Sequence, residues 1–234
     1  MATTTLSGKM ASGTAVEPPV HFNDEPGTGL YRLSGGGLGL AVAGTNVASM
    51  TTSNITLSKA IVNTSNAGTA GTGVTAVESG DGVHMRVTMT LSGFAVGTSA
   101  DNAALAVGAA IYTLPAGVYA INVSHLNVGV TIADANTAQT PEIGLGTTVG
   151  SGANATLGAV GAGAENIIEG AAVADCDGTA KVITDVPTAN IPLVIGSTDS
   201  HVIYLNLAAT WADMDAEAAL TASGTVVLDY VKLA

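Results

Sequence analysis

The chain is short of charge, and this shortage excludes two classes of protein. Charged residues make up 10% of its 234 residues, against about 25% in an ordinary globular protein. Only six residues are cations, and the formal net charge is −12. Six scattered cations cannot neutralise a run of phosphates, so nucleic-acid binding is excluded. An intrinsically disordered chain is excluded as well, because disorder combines high charge with low hydrophobicity, whereas 47% of these residues are hydrophobic.

Cysteine and long apolar runs are also scarce. The single cysteine, Cys176, cannot form an intramolecular disulfide, so the fold does not depend on an oxidising compartment. The opening MATTTLSGKM lacks the basic and apolar regions of a signal peptide. No uninterrupted run of about 18 apolar residues occurs, which a membrane-spanning helix needs. We therefore expect synthesis in a host cytoplasm and no membrane partner.

Small residues dominate what is present, including 30 glycines. A chain rich in Gly, Ala, Thr and Val favours β-strands joined by tight turns. Residues 83–91 alternate apolar and polar side chains over nine positions, which predicts a half-buried strand facing inward with Val83, Met85, Val87, Met89 and Leu91. Further strands are expected at 110–114, 142–145, 181–184, 191–195, 201–207 and 225–233. Residues 166–169 are expected to form a strand or a helical turn, and a longer helix is expected only at 211–220. We expect an all-β fold, a β-sandwich of the jelly-roll type.

One long strand is expected to contain a β-bulge. Tyr119, Ile121 and Val123 alternate inward after a turn at 115–117. The apolar phase then shifts near His125, and the inward positions become Leu126, Val128, Val130 and Ile132. Such a shift within one strand is what an inserted residue produces.

Composition divides the chain into four parts. Residues 1–20 are expected to form an N-terminal arm. Residues 21–66 are short apolar stretches cut by Gly, Thr, Asn and Ser, which cannot bury a core within one chain. We expect them to form a β stalk or anchor that several copies build side by side. Residues 67–82 are predicted to be a linker, and 83–234 the sandwich.

Two segments near the start resemble a known family. The sequences NDEPGTGLYR at 23–32 and LGLAVAGT at 38–45 resemble a motif of bacteriophage fibre and virion-surface proteins, which form intertwined three-chain β-structure there. The resemblance implies contact or anchor roles for Asp24, Gly27, Gly29, Tyr31, Arg32, Leu38, Leu40 and Val42. Asp24 and Arg32 could pair within a chain or between chains.

A second resemblance concerns the rest of the chain. YTLPAGVYAI at 112–121, YLNL at 204–207 and SGTVVL at 223–228 are similar to trimeric jelly-roll heads of the TNF/C1q type. The Gly- and Ala-rich insert at 133–190 departs from that pattern. Together the resemblances imply a homotrimeric structural protein on the surface of a phage virion. It would decorate or stabilise the capsid through its N-terminal region, with the major capsid protein as partner. The alternative is a tail fibre that recognises a host surface glycan.

Catalytic chemistry has little support in the sequence. The histidines are His21, His84, His125 and His201, and no Gly-x-Ser-x-Gly nucleophile elbow accompanies them. A virion hydrolase acting on glycans would need paired carboxylates, and no pair stands out. Asp175 and Asp177 flank Cys176, and their charges disfavour a reactive thiolate. We expect no enzyme activity.

We expect no cofactor, but the acidic loops contain carboxylates that could bind calcium. Residues 175–178, Asp-Cys-Asp-Gly, match the start of a calcium loop, but the remaining EF-hand positions are missing. Solvated acidic loops are the alternative reading. The other acids that could supply oxygens are Asp185, Asp199, Asp213, Asp215 and Glu217.

Overall fold

The computed structural model is all-β, as the sequence predicts, with one short helix in the part of the chain it describes. It describes residues 13–58, 68–101, 103–134, 136–185, 193–197, 201–210 and 218–233. The chain divides into two compact units, Met1–Ile61 and Val62–Ala234. Across those described ranges, no helix is long and apolar enough to cross a membrane.

The first unit contains a five-stranded antiparallel sheet in which each strand pairs with the next along the chain. Its strands are β1 (Val20–Phe22), β2 (Glu25–Arg32), β3 (Leu38–Val42), β4 (Thr45–Met50) and β5 (Ile55–Leu57). Ala43 and Gly44 join β3 to β4 with φ of 49° and 76°. Two positive φ angles fit a type I′ turn, whose twist matches that of the flanking strands. The segment expected to be an intertwined stalk thus pairs its strands within one chain.

The second unit holds eleven strands and one helix in its described part. They are β6 (Thr69–Ala70), β7 (Val74–Gly80), β8 (His84–Thr98), β9 (Ala106–Leu114), β10 (Gly117–Ile132), β11 (Glu142–Gly146), α1 (Leu157–Val160), β12 (Ile168–Ala172), β13 (Asp177–Asp185), β14 (Leu193–Ser197), β15 (His201–Ala208) and β16 (Ala219–Lys232). One sheet has the order β7-β8-β16-β10-β13, with β14 also paired to β10. The other has the order β12-β11-β15-β9-β6.

The strand order is that of a jelly roll. When β8–β13, β15 and β16 are numbered one to eight, the sheets read 1-8-3-6 and 2-7-4-5. Two interlocked Greek keys produce this order. The predicted β-sandwich is confirmed.

The core lies between these two sheets and is almost wholly apolar. The strand predicted at 83–91 is confirmed as part of β8, and Met85, Val87, Met89 and Leu91 are buried as expected. Val83, the fifth inward position predicted, precedes the strand and is exposed. The partner sheet contributes such residues as Ile111 and Leu205.

The bulge in β10 lies earlier than the sequence indicates. Its register against β16 shifts between Ile121 and Val123, so Asn122 is the extra residue. The prediction that Val123 faces inward is therefore wrong, and Ser124 occupies the buried position instead. The Ser124 hydroxyl donates to the carbonyl of Ile167 at 3.0 Å, which satisfies a polar group in the core.

Two segments differ from the local prediction. The range predicted to be a linker holds β6 and β7, which pair with β9 and β8. Of the helix predicted at 211–220, residues 211–217 lie outside the described residues, and Ala219 and Leu220 begin β16. The strand predicted at 191–195 is present from Leu193 onward as β14.

One buried amide helps to hold the insert that departs from the resemblance. Asn206 of β15 is fully buried. Its Oδ1 accepts the N–H of Gly150 at 2.7 Å, and its Nδ2 donates to the carbonyls of Thr148 and Ala164 at 2.9 and 2.7 Å. These bonds hold the irregular chain around α1 against the sheet.

Candidate assembly surface

One row of apolar side chains crosses all five strands of the first sheet. Pairing sets Val20 opposite Leu30, Leu30 opposite Leu40, Leu40 opposite Ala48, and Ala48 opposite Leu57. Residues directly opposite in antiparallel strands share a face. The four large side chains keep between 37% and 49% of their surface exposed. The row is therefore both continuous and open.

A second row lies beside the first on the same face, because side chains two apart in a strand point the same way. It runs from Leu38 through Met50 to Ile55, and Arg32 is paired with Leu38 at its start. Ile55 is 72% exposed. We define the apolar face as these two rows plus Val42 of β3: Val20, Leu30, Leu38, Leu40, Val42, Ala48, Met50, Ile55 and Leu57.

The other side of the sheet carries small and polar residues. There Tyr31 is paired with Gly39, and Gly29 with Ala41. Tyr31, Gly39 and Ala41 are buried. An ordinary sheet buries its large apolar side chains and exposes the small and polar ones. Here the large apolar side chains are on the exposed side, which marks the face as a candidate interaction surface.

The eight residues that the resemblance singled out divide between the two sides. Leu38, Leu40 and Val42 belong to the apolar face. Tyr31 lies on the opposite face, where its ring covers Gly39. Sequence reasoning did not single out the remaining six members of the apolar face: Val20, Leu30, Ala48, Met50, Ile55 and Leu57. The period-two pattern in each short strand was the available signal.

Gly27 and Gly29 allow close approach of neighbouring chain segments. A Cβ atom at Gly29 would stand 1.8 Å from the carbonyl oxygen of Val20. The Gly27 carbonyl accepts the N–H of Gly44 at 2.9 Å, and a Cβ atom at Gly27 would lie 2.7 Å from that nitrogen. Both positions therefore serve the packing of the sheet itself.

Asp24 and Arg32 do not pair within the chain. Asp24 precedes β2 and Arg32 ends it, so eight strand steps separate them by about 25 Å. Both side chains are exposed. Any pairing between these two positions would therefore have to join different chains.

A groove lies in the first unit beside Val42. Its volume is about 660 Å³. Val16, Glu25, Pro26, Thr28 and the turn at Ala43-Gly44 line it. Its lining is largely apolar and extends the exposed apolar surface at one end.

The described residues offer no metal centre. No group of three His, Cys, Asp or Glu side chains among them is arranged to hold an ion. Asp199, Asp213, Asp215 and Glu217 lie outside the described residues. Cys176 is buried, and its burial, followed by the charges of Asp175 and Asp177, raises the pKa of the thiol to about 11. Such a thiol is neutral at pH 7.

Within the described part of the chain, two carboxylates come together at Gly170. A Cβ atom there would lie 2.9 Å from Glu165 Oε2 and 3.0 Å from Glu142 Oε2. Burial raises the pKa of Glu142, the N–H of Leu157 lowers it, and the Glu165 charge raises it further. Glu142 accepts the Leu157 N–H, and Glu165 accepts the Gly170 N–H at 2.8 Å. Both acids thereby fix the backbone of the insert.

The aromatic residues give little support to a glycan site. Tyr31, Phe94, Tyr112, Tyr119 and Tyr230 are buried, and Tyr204 is half-buried. Sugar rings stack on exposed aromatic faces, and none of these six offers one fully. Trp211 lies outside the described residues.

A scan of protein-family models, a search of curated proteins and a search of solved structures each gave no match to this chain.

Proposed function

We propose that this chain is a structural protein that assembles with copies of itself, as a homotrimer, through the apolar face of the first sheet. The observation that carries the proposal is the exposed row from Val20 through Leu30, Leu40 and Ala48 to Leu57. A second copy is the natural cover for this face. It is apolar, it has Arg32 at its margin, and three copies can turn it towards a common threefold axis.

Burial of the apolar face can offset the free-energy cost of association. Complete burial of a Val, Leu, Ile or Met side chain contributes about 1.5–3 kcal/mol. Seven side chains that are about half exposed would contribute roughly 1 kcal/mol each, or about 7 kcal/mol per chain. Association costs about 4–15 kcal/mol. The gain from two or three chains is of the same order, so the face can drive assembly when the fit is good.

The negative charge of the chain favours contact between copies through the apolar face. Copies with a net charge of −12 repel each other at long range, and salt screens this repulsion beyond about 8–10 Å at physiological ionic strength. Acidic residues are absent from the apolar face as defined above. Contact through that face removes apolar surface from water and brings no two carboxylates together across it.

The trimer, on this proposal, belongs to the surface of a bacteriophage capsid. The first unit attaches to the major capsid protein and the jelly roll is the displayed part. Support comes from the resemblance of residues 23–32 and 38–45 to virion-surface proteins, and from the agreement of the strand order with the jelly-roll head expected after such a segment.

Charged substitutions on the apolar face test the assembly. We expect Leu30→Asp with Leu40→Asp to convert a trimer into a folded single chain, as measured by sedimentation equilibrium and circular dichroism. Val182→Asp with Val194→Asp is the matched control, because these valines are also exposed on strands but lie in the second unit. Unchanged association of the Leu30/Leu40 variant would remove this face from the proposal.

Capsid attachment is tested separately. We expect the full chain to sediment with purified capsids of the phage that encodes it, and a chain lacking residues 1–61 to stay in solution. Circular dichroism checks that the shortened chain keeps its β-structure. Equal binding by the shortened chain would contradict attachment through the first unit. Labelling of the tail in electron micrographs would instead favour the receptor-binding alternative.

A further inference from the structure

A groove opens on the outer face of one jelly-roll sheet, within the second unit. Its volume is about 420 Å³, and small-molecule sites occupy about 300–1,000 Å³. Residues of β7, β8, β16 and β10 line it, and these strands lie side by side in that order. We call it the polar groove and define it by five of its lining residues: Ser79, His84, Arg86, Asn122 and Asp229.

Strand pairing sets most of these polar side chains in one row. Ser79 is opposite Arg86, and Arg86 is opposite Asp229. Asp229 is opposite Val123, which directly follows Asn122, the extra residue of the bulge. Residues directly opposite in antiparallel strands have Cβ atoms about 4.5–5.5 Å apart. The row therefore crosses four neighbouring strands at a spacing that lets one small ligand contact several of its members.

The two ends of the row have polar groups available for a ligand. Asn122 is exposed and Ser79 is half-buried, and neither side chain makes a hydrogen bond to another described residue. Bulges re-aim side chains and are over-represented beside functional sites. The bulge in β10 places Asn122 next to the row, because both Asn122 and Val123 lie on the outer side of the sheet.

The two charged side chains of the polar groove cancel each other. Arg86 Nε and Nη2 donate to Asp229 Oδ1 and Oδ2 at 2.6 and 2.8 Å, which is a bidentate pair. An anionic ligand would meet the Asp229 carboxylate, and a cationic ligand would meet the Arg86 guanidinium. The net charge of −12 disfavours an anion further. The groove consequently favours a ligand that is polar but uncharged.

The ion pair also leaves hydrogen-bonding capacity unused. A guanidinium has N–H donors on all of its nitrogens, and Asp229 engages only Nε and Nη2 of Arg86. Each carboxylate oxygen of Asp229 keeps a second lone pair. The Ser79 hydroxyl and the Asn122 amide can both donate and accept. Donors and acceptors thus stand side by side, as neighbouring hydroxyl groups require, because each hydroxyl both donates and accepts.

We propose that the polar groove binds a neutral saccharide through the hydroxyl groups of its ring. Arg86 donates to these hydroxyls, Asp229 accepts from them, and Asn122 does both. Val231, which is opposite His84 and lines the same groove, supplies apolar surface for the C–H groups of the sugar. Recognition of this kind relies on hydrogen bonds and needs no exposed aromatic ring.

A peptide fits this groove less well than a sugar does. Peptides commonly bind by adding a strand to a free sheet edge. Both β8 and β16 are paired on each side, so the face between them has no backbone groups to offer. The groove lies in the second unit, and the saccharide site is therefore independent of assembly through the apolar face.

Saturation-transfer NMR on the full chain tests the site with glucose, galactose, mannose and N-acetylglucosamine at millimolar concentration. We expect transfer to at least one of these sugars, and Asn122→Ala and Ser79→Ala should each weaken its binding about 2–10-fold, as the loss of one hydrogen bond does. Thr90→Ala is the matched control, because Thr90 is also exposed on β8 but does not line the groove. Absence of transfer to all of them would overturn the proposal, and so would equal weakening by Thr90→Ala.

The charge argument is tested with the uronic acid of the sugar that binds. The wild-type chain should prefer the neutral sugar. Asp229→Asn removes the charge that cancels Arg86, and should shift the ratio of the two affinities towards the uronic acid by about tenfold or more, since hydrogen bonds between charged groups are stronger. Circular dichroism checks that each variant keeps its fold. A wild-type preference for the uronic acid, or an unchanged ratio in Asp229→Asn, would contradict the proposal.

Discussion

The ring of Tyr31 covers Gly39 on the neighbouring strand so closely that a Cβ atom at residue 39 would stand 2.5 Å from ring atom Cε1. The two residues are directly paired across β2 and β3. Gly39 leaves the space that the ring fills, and the ring in turn shields the glycine backbone. This contact gives the first sheet a packed side of its own, opposite the apolar face.

Gly39→Ala should loosen the first sheet. The added methyl group meets the Tyr31 ring, and overpacking of this kind typically costs about 1–3 kcal/mol. Hydrogen exchange of the amides of β2 and β3 measures the local loss, and we expect faster exchange there with β8 unchanged. Gly196→Ala is the control, because the nearest atom to its added Cβ is 3.9 Å away. Equal exchange in both variants would contradict the packing argument.

Asn206→Leu should release the insert from the sandwich. The substitution leaves the N–H of Gly150 and the carbonyls of Thr148 and Ala164 without their partner, at about 1–3 kcal/mol for each unsatisfied group. We expect a loss of several kcal/mol in urea unfolding and early proteolytic cleavage within 147–166. Asn154→Ala removes one exposed bond to the carbonyl of Ser151 and should change stability little. An Asn206→Leu chain that resists proteolysis as the wild type does would show that other contacts hold the insert.

Cys176 should react slowly with thiol reagents in the folded protein. A thiol with a pKa of about 11 is ionised roughly 100-fold less at pH 8 than one with the ordinary value near 9, because each pKa step is tenfold. Burial slows the reaction further. We expect rapid labelling by iodoacetamide only after unfolding in guanidinium. Labelling of the native chain at the denatured rate would contradict the buried position.

Tyr119 and Tyr230 should make the protein sensitive to alkali. Their pKa values are raised above the ordinary 10 by burial and by Glu78. A raised pKa in the folded state stabilises it fully below about pH 10, and that contribution is lost as pH rises further. Urea unfolding between pH 8 and 11.5, in a Cys176→Ala background, measures the loss. We expect Tyr230→Phe to reduce this loss of unfolding free energy at high pH, and Tyr204→Phe to leave the loss unchanged.

Strand alternation made much of the jelly roll predictable. The inward side chains of β8 from Met85 to Leu91 follow from period two alone. Strands are also expected within β11, β13, β15 and β16, although β16 begins at Ala219, six residues before the expected start. The bulge was misplaced by about three residues, because Asn122 and Ser124 are both polar and the apolar pattern does not distinguish them. Only the structure shows which of the two is buried.

Long-range contacts were beyond sequence reasoning. The Gly, Thr and Ala of β6 and β7 give weak strand signals, and β6 pairs with β9, more than forty positions further along the chain. The bonds of Asn206 join residues more than forty positions apart, which no local pattern encodes. On the first sheet, alternation identifies Leu38, Leu40 and Val42 as one side, but their exposure follows only from the complete sheet.

The most direct test of the assembly through the apolar face is the mass of the full chain in solution. Light scattering coupled to size exclusion, at micromolar concentration and physiological salt, should give three times the mass of one chain, and the Leu30→Asp/Leu40→Asp variant should give the mass of one. A wild-type chain that elutes as a monomer would contradict the account.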